Sequence, residues 1–155
     1  MEQAERIRVK CGAATGAAGL AVAVAMTVAG GSLARFLPDG PLFHAVAFVG
    51  AAVAGAALAD GFGRRGRLGA LAAIVAAPVV TAVGAVIATL LLVAIFEPSG
   101  GWRALSGAVP LGVLAVTDGI GTSPFVAGTW GLSLAGVHMA MRRVRGLPLH
   151  PFKPL

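Results

Sequence analysis

Two long apolar runs, Pro41 to Ala59 and Leu68 to Phe96, are separated by only eight residues, Asp60-Gly61-Phe62-Gly63-Arg64-Arg65-Gly66-Arg67. About 20 apolar residues span the hydrocarbon core of a bilayer. Each run is therefore expected to cross a membrane, and the short link between them must turn the chain back. Arg64, Arg65 and Arg67 give the link a strong positive charge. Loops rich in Arg and Lys stay on the cytoplasmic side during insertion, so this loop orients the whole chain.

Composition agrees. The 155 residues are 57% hydrophobic and 12% charged, with a mean hydropathy of +0.89. Soluble domains carry roughly twice that share of charge. The apolar residues form unbroken runs rather than amphipathic stripes, which defines a polytopic membrane protein. Arg outnumbers Lys and Ala is abundant, a composition expected of a GC-rich bacterial genome and hence of an inner membrane.

The net charge of +6 does not indicate nucleic-acid binding. Ten of the twelve basic residues fall in three clusters: Arg6, Arg8 and Lys10; Arg64, Arg65 and Arg67; and Arg142, Arg143 and Arg145 with Lys153. Each flanks an apolar run, the placement that fixes orientation. A weak attraction to anionic headgroups follows from the same clusters. The single cysteine, Cys11, excludes an internal disulfide.

The expected architecture is all-α. Four transmembrane helices cover about residues 12–37, 41–60, 68–96 and 124–141, with cytoplasmic tails at 1–11 and 142–155. The first span is Ala- and Gly-rich; Gly12, Gly16 and Gly19 leave a groove for close helix approach, within the chain or at a dimer seam. Its basic start and Ser32-Leu33-Ala34 also fit a signal peptide, but the apolar stretch exceeds the usual length, so a retained span is expected. Arg35 to Pro41 reads as an external turn built on Pro38-Asp39-Gly40. In the third span, Pro78 removes one backbone bond, and Thr81 is placed to help satisfy the freed carbonyl. The Thr89 to Phe96 end is the greasiest stretch and is expected to face lipid.

After Trp102, expected at the interface, Ala104 to Thr117 is apolar but only 14 residues long, with Pro110 in its middle. Asp118-Gly119-Ile120-Gly121-Thr122-Ser123-Pro124 then reads as a helix break. With four spans the basic residues divide ten inside and two outside; with five they divide evenly. The positive-inside bias favours four spans, with 104–117 as an external interfacial or re-entrant segment and both termini in the cytoplasm. Three prolines in the last eight residues keep the tail extended.

The candidate ion or solute site is Asp118 with Thr117, Thr122 and Ser123 at the break, and His44 on the same side. An ionisable group beside broken helices is a functional hypothesis by default. His138, near the inner end of the last span, reads as a satisfied side chain rather than a ligand. No zinc-type spacing, nucleotide-binding glycine pattern or catalytic triad is legible, so neither a metal nor a cofactor is expected.

The basic loop resembles the cytoplasmic loop between the second and third helices of major facilitator transporters, at Asp60, Gly63, Arg64 and Arg65. That resemblance would imply a transporter of roughly twelve spans. It covers only this loop, Gly61 replaces the family's usual basic residue, and the chain has room for four or five spans, so the loop is read as convergent turn geometry. Gly30 to Arg35 is similar to the first helix of small four-span fluoride channels, which also use an intramembrane Asn. This chain has no Asn, and that assignment is set aside.

Two functions follow as expectations. The first is a non-enzymatic accessory subunit that packs against itself or a larger membrane complex. The second is a small oligomeric transporter or channel using the Asp118 region.

Overall fold

A computed structural model describes residues 3–29, 40–96 and 101–146. The expected turn at Arg35–Asp39, the link 97–100, the Trp102 side chain and the tail 147–155 lie outside the described residues. Among the described residues the fold is all-α, with five α-helices and no strand: α1 Gln3–Ala29, α2 Pro41–Ala57, α3 Gly66–Phe96, α4 Gly101–Thr122 and α5 Pro124–Val144. A single 3-10 turn, Ala59–Gly61, follows α2.

Punctuation residues set most of these ends. Pro41 and Pro124 occupy the first turns of α2 and α5, where a missing N–H costs nothing and the fixed φ suits a helix. Ser123 caps α5 by accepting a hydrogen bond from the Val126 amide at 3.4 Å. Gly146, at φ 66°, follows the end of α5, the left-handed position that closes many helices.

α1 packs against α2 and α5, α2 also against α3, and α3 against α4. The α1–α2 seam is built from small residues. A Cβ at Gly12 would lie 2.9 Å from the Ala52 carbonyl oxygen, and one at Gly16 would lie 2.9 Å from the Phe48 ring. The glycine groove is therefore filled inside the chain by α2. One core joins Cys11, Ala54, Phe62, Val80, Leu134 and Met141. A second joins Val22, Ala25 and Met26 of α1 to Ala115 and Val126.

Buried positions are mostly Ala, Gly and Val, with Met26, Phe43, Phe62, Leu134 and Met141 as the large members, while Leu68 (82% exposed), Leu71, Ile74 (67%), Val75, Leu114 and Leu132 point outward. A chain folding in water buries its largest aliphatic side chains first, because burial of each is worth about 1.5–3 kcal/mol.

Three sequence expectations need correction. The break expected over Asp118–Pro124 is present but falls at its far end: the chain bends by 106° at Ser123, while α4 runs unbroken from Gly101 through Thr122, so the 14-residue apolar segment 104–117 is part of a 22-residue helix. Each helical glycine costs about 1 kcal/mol relative to Ala, yet Gly119 is buried beside Met26 and Val126, and tertiary packing offsets that penalty. Pro124 is the true stop, since it disfavours helical geometry at Ser123. Secondly, Thr81 does not serve the carbonyl freed by Pro78; its hydroxyl donates to Ala77 O at 2.9 Å. Thirdly, the most exposed part of α3 is its first half. Of the Thr89–Phe96 end, residues 94–96 are exposed as expected, but 89–93 are half-buried, with α4 packed on α3 so that Gly112 sits against Thr89.

α1 and α3 are long and apolar enough to cross a membrane. α2 is a shorter apolar helix of 17 residues, at the lower limit of about 17 for a span. Val109–Thr122 and Pro124–Val144 meet the same test only as a bent pair.

Candidate functional site

The α4–α5 elbow holds most of the residues singled out from sequence. The Thr117 hydroxyl donates to Val113 O and Leu114 O, both at 3.0 Å. The Thr122 hydroxyl donates to Asp118 O at 2.6 Å. Ser123 is committed to the cap of α5. All three hydroxyls are thus engaged with local backbone. Asp118 is half-buried on the last turn of α4. His44 lies in the first turn of α2, with Nδ1 3.0 Å from Gly40 O and its ring edge-on to Phe43 at 5.6 Å. His44 Nε2 is buried without a hydrogen-bond partner among the described residues.

Beside the elbow, all five helices wall a central cavity of about 100 Å³. The hydroxyl and indole groups on its wall are hydrogen-bonded. Thr15 donates to Cys11 O at 2.8 Å and Thr89 to Ala85 O at 2.8 Å. Trp130 Nε1 donates to Thr81 Oγ1 at 2.8 Å, across 49 residues of sequence. A second space, of about 270 Å³ between α3 and α4, shares Thr81, Ala85, Val116 and Trp130 with the first. Asp118 lines neither.

The opposite end of the bundle is tied by polar contacts. Gly63, at φ 75°, is folded onto the last turns of α5, and its amide donates to His138 Nδ1 at 3.2 Å. Arg145 Nη2 donates to Ala59 O at 3.1 Å and pairs with Asp60 Oδ1 at 3.5 Å. Phe62 is fully buried between these contacts. Asp60 therefore balances an arginine of the last helix rather than one in its own loop. Arg64, Arg65, Arg67 and Arg143 are exposed, whereas Arg142 is 7% exposed.

Sequence reasoning missed Trp130 and Phe62. Trp130 carried a usable signal: an indole far from either end of an apolar run needs a partner for its N–H. Phe62 carried none, because a lone aromatic in a charged turn reads as exposed.

No family model, curated protein or solved structure matches the chain.

Proposed function

We propose that the chain is a four-span protein of a bacterial inner membrane, with α1, α2, α3 and α5 crossing. α4 lies across the outer side, and both termini are cytoplasmic. The protein acts as a non-enzymatic subunit that packs laterally against another membrane protein or a second copy of itself. The aliphatic surface carries this reading: Leu68, Leu71, Ile74, Val75, Leu114 and Leu132 face outward, while Ala, Gly and Val fill most of the interior around a few large side chains. A hydrocarbon solvent makes that outward-facing aliphatic surface cheap. The 106° bend supports the place given to α4. With α5 along the bilayer normal, a helix so inclined lies close to the membrane plane.

The exposed half of α3 supports the lateral contact. Leu58, Leu71, Val75 and Val79 flank a shallow groove floored by Gly61, Ala72 and Ala76. Small residues between larger ridges permit the close approach on which helix association in lipid depends. Purification of the full chain in mild detergent, followed by native mass analysis, is expected to yield a complex of fixed stoichiometry. A monomer under every mild condition would overturn the subunit reading.

A second reading, a small oligomeric transporter, draws on the cavity shared by five helices and on the bent α4–α5 pair. It requires that Asp118→Asn abolish flux in reconstituted vesicles while the protein remains folded. Unchanged flux would remove Asp118 from that role.

A further inference from the structure

One of the bonds that hold the basic loop to α5 depends on the charge of a side chain. The Gly63 amide donates to His138 Nδ1 at 3.2 Å. The acceptor is therefore the bare ring nitrogen of a neutral imidazole, with the proton on Nε2. An imidazolium carries N–H groups on both nitrogens and accepts nothing, so no ring flip restores the bond. Gly63 is itself buried, and it lies so close to α5 that a Cβ there would be 2.6 Å from the Met141 carbonyl carbon. Its amide cannot turn to water while the loop stays in place. Protonation of His138 presses two donors together and leaves a buried N–H unpaired, a costly state.

The charged and titratable groups around this contact come from four elements. α5 supplies Arg142, one turn beyond His138, where a like charge is unfavourable. It also supplies Arg145, which pairs with Asp60 at 3.5 Å, so the acid of the loop is already committed. The loop adds the exposed Arg64 and Arg65, and α3 begins with the exposed Arg67. α1 adds Cys11, buried in the same core as Phe62 and Met141, with the exposed Arg8 and Lys10 beside it in sequence. The loop is hinged for a local release. Phe62 is fully buried and Arg145 holds the Ala59 carbonyl at 3.1 Å, which anchors the first half. Gly66, at φ 72° with open space around it, offers a joint at the far side.

We propose that His138 is a pH-sensitive latch: the neutral ring holds Gly63 against α5, and the protonated ring releases Gly63 and with it the Arg64–Arg65 tip of the loop. On the reading above this end faces the cytoplasm, so the latch answers to cytoplasmic acidification. The contact itself does not depend on that reading, and the test below is independent of sidedness.

The test uses the full chain in mild detergent and follows the Gly63 amide by nuclear magnetic resonance between about pH 8 and pH 5, the range in which histidine changes charge. Its exchange rate is divided by the intrinsic rate at each pH. Protection is expected to fall roughly two- to tenfold as the pH drops, the effect of losing one hydrogen bond between neutral partners. The amides of Gly50 and Gly84, at the α2–α3 contact, are expected to keep theirs. The nitrogen shifts of the His138 ring should report the Nε2–H form at the high end and titrate in step with the loss at Gly63. His138→Asn places Oδ1, an acceptor at every pH, on Cγ where the ring carries Nδ1. In that variant Gly63 is expected to stay protected throughout. Unchanged protection of the wild type down to pH 5, or the same fall in His138→Asn, would overturn the latch. So would a ring that titrates without the Gly63 amide following, a result read on the wild type and so decisive even where His138→Asn does not fold. Loss of protection at Gly50 and Gly84 together with Gly63 would show acid unfolding of the bundle in place of a local release, and would also overturn it.

Discussion

Gly50→Leu is expected to destabilise the bundle by about 3 kcal/mol or more, the upper range for overpacking a close contact. Gly50 is where α2 and α3 touch backbone to backbone. A Cβ there would overlap the Gly84 carbonyl oxygen and lie 2.9 Å from the Ala88 amide nitrogen. Neither is the end of a side chain that can swing aside. The reciprocal position is equally tight: a Cβ on Gly84 would lie 3.2 Å from Ala51 Cα. Relief requires the helices to separate, which would also disturb the α3 wall of the central cavity. Gly128→Leu is the matched control, since Gly128 in α5 has open space around it. There the change should cause no loss and gain up to about 1 kcal/mol of helix propensity. Detergent-denaturant unfolding followed by helical circular dichroism reads both. Equal stabilities would show that α2 and α3 do not meet at Gly50.

The second large effect is at the basic end, where two glycines share a backbone conformation but not a setting. Gly63 has φ 75° and Gly66 φ 72°. A side chain in the left-handed region costs about 1–2 kcal/mol at either. Gly66 has open space, whereas a Cβ on Gly63 would lie 2.6 to 2.8 Å from the backbone and Cβ of Met141. Gly66→Ala is therefore expected to cost only the conformational term. Gly63→Val adds overpacking of another 1–3 kcal/mol, for a loss of about 4 kcal/mol. It should also break the amide bond to His138. The α5 residues from His138 to Arg145 should then exchange their amide hydrogens faster in Gly63→Val than in Gly66→Ala. Identical exchange in the two variants would mean that the loop does not hold α5.

Local punctuation made much of the helix layout legible. Pro41 and Pro124 mark the starts of α2 and α5, and the lengths of the apolar runs anticipate α3 and the body of α1. The α4 segment misled because glycine and proline report a local cost, whereas the compensation at Gly119 comes from Met26, far away in sequence. The exposed half of α3 misled for the same reason: hydropathy registers greasiness, not which face α4 covers. The candidate site was legible as a list of residue types near a bend. It was not legible that Thr117, Thr122 and Ser123 would spend their hydroxyls on nearby backbone. At the basic end, the arginine clusters were plain, but the docking of their loop on α5 depends on a contact between residues 75 apart, Gly63 to His138. No periodicity or spacing encodes a pairing of that range.

The central claim, four spans with both termini inside, is tested most directly by sidedness. Single cysteines would be placed at Gln3, Pro41, Arg65 and Arg143 in a Cys11→Ala background, and intact spheroplasts labelled with a membrane-impermeant maleimide. All four positions are exposed. Pro41→Cys is expected to label from outside, and Gln3→Cys, Arg65→Cys and Arg143→Cys only after the membrane is opened. Labelling of Arg143→Cys in intact cells would mean that α4 crosses, and would contradict the four-span arrangement.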